Sequence, residues 1–204
     1  MHRRLAWLFP VVLACVSALF AMDTADGHAP IKLVPAPKEV KLLEGGFRVR
    51  SNTKIFVLLG HQEEDRIAAE TLAEEVADRS GLQLDIVGMK PAGKAEGGAI
   101  VLARLQDSRV RRFLAAKGLT AGDLVGEQGY LLFSDDSHLI VAANTGEGLF
   151  AGVQTLRQLL RPAGKDMLCP GIGIRDWPGV DWTRVEPAAQ DGLNREAALQ
   201  FLSH

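Results

Sequence analysis

Gly129-Tyr130-Leu131-Leu132-Phe133-Ser134-Asp135-Asp136-Ser137-His138-Leu139-Ile140-Val141-Ala142-Ala143-Asn144-Thr145 is the stretch whose reading decides the fold. Two apolar runs, Tyr130 to Phe133 and His138 to Ala143, flank the polar residues Ser134 to Ser137. Polar turn formers between apolar runs specify a β-hairpin, because their side chains can satisfy the backbone of a tight reversal. Asn144 or Thr145 can then cap a helix. Leu149, Val153, Leu156 and Leu160 follow at spacings of 4, 3 and 4, which is one buried helical stripe ending before Pro162. A hairpin that runs straight into an amphipathic helix predicts a sheet with a helix packed on it.

Outward from this centre the same grammar repeats. Ala99 to Ala103 reads as a buried strand, and Val110 to Ala116 as a short amphipathic surface helix ended by Gly118. Upstream, Ala68, Ala69, Leu72, Ala73, Val76 and Ala77 recur at helical spacing, with Gly81 placed as a C-terminal cap and Leu82 to Val87 as the next strand. Val40 and Leu42, then Phe47 and Val49, then Ile55 to Leu59 read as strands, with a hairpin-like break at Gly45-Gly46. Ile172 to Ile174 supplies a last strand. The expected fold is α+β, a single sheet of about seven strands with two main helices packed on one face.

The 204-residue chain is 47% hydrophobic and 24% charged, an ordinary globular composition. Its net charge of −2 leaves no electrostatic footprint for nucleic acid, and Arg109, Arg111 and Arg112 read as solvated surface. Residues 1–21 have the form of a signal peptide: His2-Arg3-Arg4, an apolar run from Leu5 to Phe20, and the small residue Ala21 before a polar stretch. An uncleaved anchor, or lipoprotein cleavage at Leu13-Ala14-Cys15, are the alternatives. The expectation is a secreted or periplasmic protein with no membrane association after cleavage. Residues 22–30 read as a linker, 31–178 as the folded domain and 179–204 as a tail. Cys15 leaves with the signal, so Cys169 has no internal disulfide partner and reads as a buried or half-buried thiol.

Candidate chemistry is sparse. Asn144 to Gly152 follows a strand and opens a helix, where a phosphate loop would sit. Its glycines fall one residue too far apart for the dinucleotide fingerprint, and no Lys-Ser/Thr follows. Close packing at Gly148 and Gly152, with Gly146 relaxing the turn, is the better reading. Glu63-Glu64-Asp65 and Glu74-Glu75 read as a solvated helix face and Asp135-Asp136 as turn chemistry. The histidines lack metal-ligand spacing, so neither a metal nor a cofactor is expected. No G-x-S-x-G nucleophile elbow occurs.

Gly129-Tyr130-Leu131-Leu132, Leu139 to Ala143 and Gly148-Leu149-Phe150-Ala151-Gly152-Val153-Gln154-Thr155-Leu156-Arg157-Gln158-Leu159-Leu160 closely resemble the non-catalytic N-terminal domain of family 20 β-N-acetylhexosaminidases. Leu33-Val34-Pro35-Ala36-Pro37-Lys38-Glu39-Val40 is similar to that domain's first strand. Ile174-Arg175-Asp176-Trp177-Pro178 looks like the segment leading into the catalytic barrel. The likeness covers residues 31–178 and degrades over 179–204, a degenerate start of the barrel or a tail, where Arg184 is the counterpart of a sugar-binding arginine. The resemblance implies an accessory domain in glycan or chitin breakdown, whose partner is a (β/α)8 barrel if one is encoded downstream. Such barrels carry an adjacent Asp-Glu pair for substrate-assisted catalysis. No Asp precedes a Glu directly anywhere in these residues. A barrel needs about 250 residues, so the chain is expected to be inactive and truncated before its catalytic part. A free-standing carbohydrate- or protein-binding module, and the equivalent domain of a hyaluronidase-like or glucuronidase-like glycosidase, are the other readings. A binding module would want an exposed aromatic platform, and the chain has one tyrosine and three tryptophans.

Overall fold

The computed structural model describes residues 31–58, 62–89, 98–122 and 128–178. The elements run β1 (Glu39–Val49), β2 (Lys54–Leu58), α1 (Gln62–Ser80), β3 (Asp85–Met89), β4 (Ala99–Arg104), α2 (Ser108–Ala116), β5 (Tyr130–Ser134), β6 (Leu139–Ala143), α3 (Gly146–Leu159), β7 (Arg161–Ala163) and β8 (Asp166–Asp176). They form one mixed sheet in the order β1-β8-β5-β6-β4-β2-β3, with the short β7 pairing β8. Pairing is parallel among β3, β2, β4 and β6, and antiparallel from β6 through β5 and β8 to β1. The α+β class read from the sequence is the observed one.

Every residue of β4, β5 and β6 is buried. A strand buried at every position needs cover on both faces of the sheet. On one face α1 contributes Ala68, Ala69, Leu72 and Val76, while Gly152 of α3 lies against Val141 and Tyr130. The other face gathers Val101, Ala103, Leu131, Phe133, Ile140 and Ala142 around Leu114 of α2, with Phe113 and Leu119 packed on the cluster. The two main helices therefore share a face as expected. The short helix α2 closes the opposite one, with the Phe113 ring edge-on to Phe133 at 5.9 Å between centroids. Fully burying a side chain such as Leu114 or Phe133 contributes about 1.5–3 kcal/mol.

Two elements depart from the sequence reading. The Gly45-Gly46 step is a bulge within one long strand, and not a hairpin: β1 pairs β8 on both sides of a register shift between Leu42 and Gly46. Gly45 takes φ +74°, and a Cβ on Gly46 would sit 2.5 Å from the Cys169 carbonyl oxygen. Only glycine meets both demands. The last strand also begins well before Ile172, at Asp166. Pro170-Gly171 hid it, because that pair reads as a turn. It is tolerated because β8 exchanges its partner there, pairing β7 up to Leu168 and β5 from Ile172.

The decisive hairpin forms as read. Asp135 Oδ1 accepts from the Ser137 and His138 amides at 2.9 and 2.8 Å, and Oδ2 pairs with Lys117 Nζ at 2.9 Å. Burial works against the charge, but Lys117 and these N–H donors prevail and hold the Asp135 carboxyl down at about 2. Cys169 is a free and fully buried thiol, pushed by that burial up to about 12.

Candidate functional site at the carboxyl edge of the parallel strands

Parallel pairing of β2, β4 and β6 brings their carboxyl ends to one edge of the sheet, and α1 and α3 both begin there. In open α/β sheets this edge is where ligands bind, and a free helix N-terminus there attracts anions. Here the position is already filled. Arg104, the last residue of β4, is 2% exposed. Its Nε donates to Asp65 Oδ1 at 3.0 Å, its Nη2 to Glu64 Oε2 at 2.8 Å and its Nη1 to the Asn144 carbonyl at 3.0 Å. Burial alone would lower the Arg104 pKa, yet the Asp65 and Glu64 carboxylates hold the guanidinium above its ordinary value.

The first turn of α3 is similarly occupied. Thr145 Oγ1 accepts from the Gly148 amide at 3.2 Å, the capping role read from the sequence. A Cβ on Gly146 would lie 3.1 Å from Glu64 Cβ and 3.4 Å from Arg104 Nη2. Gly146 thus makes room for the Arg104 cluster and does not relax a turn. A phosphate arriving here would meet carboxylates, which is a physical ground for setting the nucleotide reading aside.

The acidic runs need a correction. Asp65, assigned to a solvated face, is fully buried against Arg104. Helical phase explains the difference: Asp65 lies on the stripe of Ala68, Ala69, Leu72 and Val76, while Glu64 lies beside it. Glu75 is also engaged, accepting from Arg157 Nε of α3 at 2.9 Å and from Arg79 Nη1 at 3.4 Å. The charges of α1 fasten it to β4 and α3.

Beside the cluster stand two residues that sequence reasoning did not single out. Ile67 is 62% exposed and Phe150 is 39% exposed, and both line one open depression with Glu64, Thr145, Gly146 and Glu147. Each lies off the buried stripe of its helix, and that misplaced phase is the signal that could have found them. Among the described residues, no three His, Cys, Asp or Glu side chains gather as metal ligands do. The proposed sugar-binding Arg184 lies outside the described residues, as do the signal and linker, residues 1–30, and the tail, residues 179–204. What the described residues show here is the Arg104 cluster and a small apolar ledge of Ile67 and Phe150 at the same edge.

The described residues form an α+β domain with an ion cluster at the carboxyl edge of its parallel strands. The family described as Glycosyl hydrolase family 20, domain 2 matches residues 30–177, and the chain belongs to that family. A Beta-hexosaminidase of Porphyromonas gingivalis is 27% identical over 180 residues, which is 84% of this chain and 20% of that protein. The solved GH20 beta-N-acetylhexosaminidase of Streptomyces coelicolor is 28% identical with a TM-score of 0.53, covering 72% of this chain and 26% of that one. The N-acetyl-beta-hexosaminidase of Streptomyces plicatus is 27% identical with a TM-score of 0.54, covering 76% and 29%. The chain thus spans less than a third of the relatives it matches.

Proposed function

We propose that this is the accessory N-terminal domain of a secreted β-N-acetylhexosaminidase acting in glycan or chitin breakdown. It offers a docking face to a catalytic (β/α)8 barrel and supplies no catalytic group of its own. One geometric observation carries the docking face. Asp176 pairs with Tyr130, Tyr130 with Ala143 and Ala143 with Arg104, so these residues form one row across the sheet. The chain therefore leaves β8 at the edge where Ile67 and Phe150 stand exposed. Exposed apolar residues next to a chain exit favour contact with whatever folds next along the chain. The three relatives support this reading, since each extends far beyond the matched region.

The test uses a family 20 barrel produced without its own copy of this domain. Adding the chain should raise the barrel's melting temperature, and Ile67→Asp combined with Phe150→Asp should abolish that effect. The chain alone should leave aryl N-acetylglucosaminides intact. Stabilisation that survives both substitutions would move the interface elsewhere, and turnover by the chain alone would overturn the accessory role.

Export belongs to the same proposal. Arg3-Arg4 followed by the apolar run to Phe20 is the supporting feature. Protein made in a bacterial host should carry an N-terminus trimmed near Ala21. Recovery of intact Met1 from the cytosol would count against export.

A further inference from the structure

The sequence motifs at Tyr130, Thr155, Gln158 and Asp176 lie far apart along the chain, and none of them forms a reactive site. The structure brings them together around the lead-in segment. The Val34 amide donates to Gln158 Oε1 at 2.9 Å, and Gln158 Nε2 donates to the Val34 carbonyl at 3.0 Å. A carboxamide offers one acceptor and a donor group side by side, so Gln158 pairs with Val34 as a neighbouring strand would. Four residues on, the Lys38 amide donates to Asp176 Oδ1 at 3.1 Å. Leu33, just ahead of the first anchor, is buried.

Asp176 then connects inward. It sits directly opposite Tyr130 in the β5–β8 ladder, and the Tyr130 hydroxyl shares a buried 2.6 Å hydrogen bond with Thr155 Oγ1. Thr155 and Gln158 belong to the last turns of α3. Gly152 completes the arrangement, since a Cβ there would lie 3.0 Å from Tyr130 Cδ2. Next to Asp176, Arg175 Nη2 bonds Glu39 at 2.5 Å and Arg175 Nη1 donates to the Thr120 carbonyl at 3.3 Å. The Arg175 guanidinium carbon lies 5.3 Å from the centre of the Trp177 ring.

We propose that Gln158, Thr155, Tyr130 and Asp176 act as one cooperative latch that locks the lead-in segment 33–38 to the exit of β8. The two ends of the domain are then a single rigid junction. The latch is a positioning device. Its service to a following barrel rests on the docking role proposed above, but the latch itself lies wholly within residues 33–176.

The experiment is done on the 204-residue chain and does not use activity. Tyr130 is the chain's one tyrosine, so phenolate absorbance reports on the latch alone. Burial and the nearby Asp176 push its hydroxyl above the ordinary range, against the opposing bond from Thr155. In the unaltered chain the phenol should stay protonated beyond its usual value of about 10. Gln158 is exposed, so Gln158→Leu keeps the fold while removing both bonds to Val34. A cooperative latch requires this change to speed amide exchange at Lys38 and Asp176 as well as Val34, by roughly tenfold or more. Tyr130 should then ionise closer to about 10. Asp176→Ala should loosen Val34 in the same way, and Asp176→Asn, which keeps an acceptor for Lys38, should restore it. Faster exchange confined to Val34 in the Gln158 variant, with Tyr130 titrating as before, would show independent anchors and overturn the proposal.

Discussion

Asp65→Ala is expected to destabilise the domain by about 3–5 kcal/mol, the usual cost of removing one partner from a buried ion pair. The geometry places this site at the full end of that range. Asp65 is 0% exposed and Arg104 is 2% exposed, so the guanidinium cannot turn to water once its partner is gone. Glu64 remains within 2.8 Å, but its side chain is 70% exposed and its attraction is weakened by solvent. For a domain of this size the loss corresponds to a fall of roughly 10 °C in melting temperature. Calorimetry on the single variant is the direct check. The double replacement Asp65→Leu with Arg104→Met supplies the control, because well-packed apolar residues can replace a buried pair at little net cost. The Asn144 carbonyl would lose Arg104 yet keep its bond from Gln106 Nε2 at 3.0 Å. The double variant should therefore recover most of the stability. A single variant that loses less than about 1 kcal/mol would mean that the pair behaves as an exposed one.

Asp65 also shows where sequence reading succeeds and where it stops. The hairpin at Tyr130 to Ala143 and the stripe of α3 were legible, because turn chemistry and apolar period are local properties. The ends of α1 and α2 were legible for the same reason: Gly81 and Gly118 take φ +74° and +81° where caps were expected. The partner of Asp65 was not legible. Arg104 lies 39 residues away, and nothing local distinguishes a carboxylate that faces an arginine from one that faces water. The strand over Asp166 to Gly171 was missed because local chemistry points to a turn, while the sheet supplies the reason for a strand. The role of α2 as cover for the second face required the sheet order, which no single segment contains. The apolar ledge was not singled out, because Ile67 and Phe150 stand out only when their helical phase is compared with the buried stripes of α1 and α3. The family motif carried further than any of these, because it encodes tertiary convergence directly. Tyr130, Thr155, Gln158 and Asp176 are motif positions, and the structure gathers them at one junction.

Gly152→Leu should destabilise the domain by about 3 kcal/mol, the upper part of the overpacking range. The sequence reading placed Gly152 close to the sheet, and the structure gives the distances. A Cβ there would lie 2.5 Å from Val141 Cγ1 and 3.0 Å from Tyr130 Cδ2. Neither neighbour can move cheaply. Val141 is β-branched, fully buried and held in the ladder between β4 and β5. Tyr130 is fixed by its bond to Thr155. The sign of the smaller change Gly152→Ala is therefore the sharper test. At an open helix position, alanine in place of glycine stabilises by about 1 kcal/mol through propensity. Against Val141 and Tyr130 the same methyl must push α3 off the sheet or force the tyrosine out of its bond. Gly152→Ala should accordingly lower the melting temperature and bring the Tyr130 titration closer to its ordinary range. Val141→Ala removes the nearest methyl and should recover part of the loss in the double variant. A Gly152→Ala protein that melts higher than the parent would mean that α3 rides farther from β6 than the 2.5 Å approach implies.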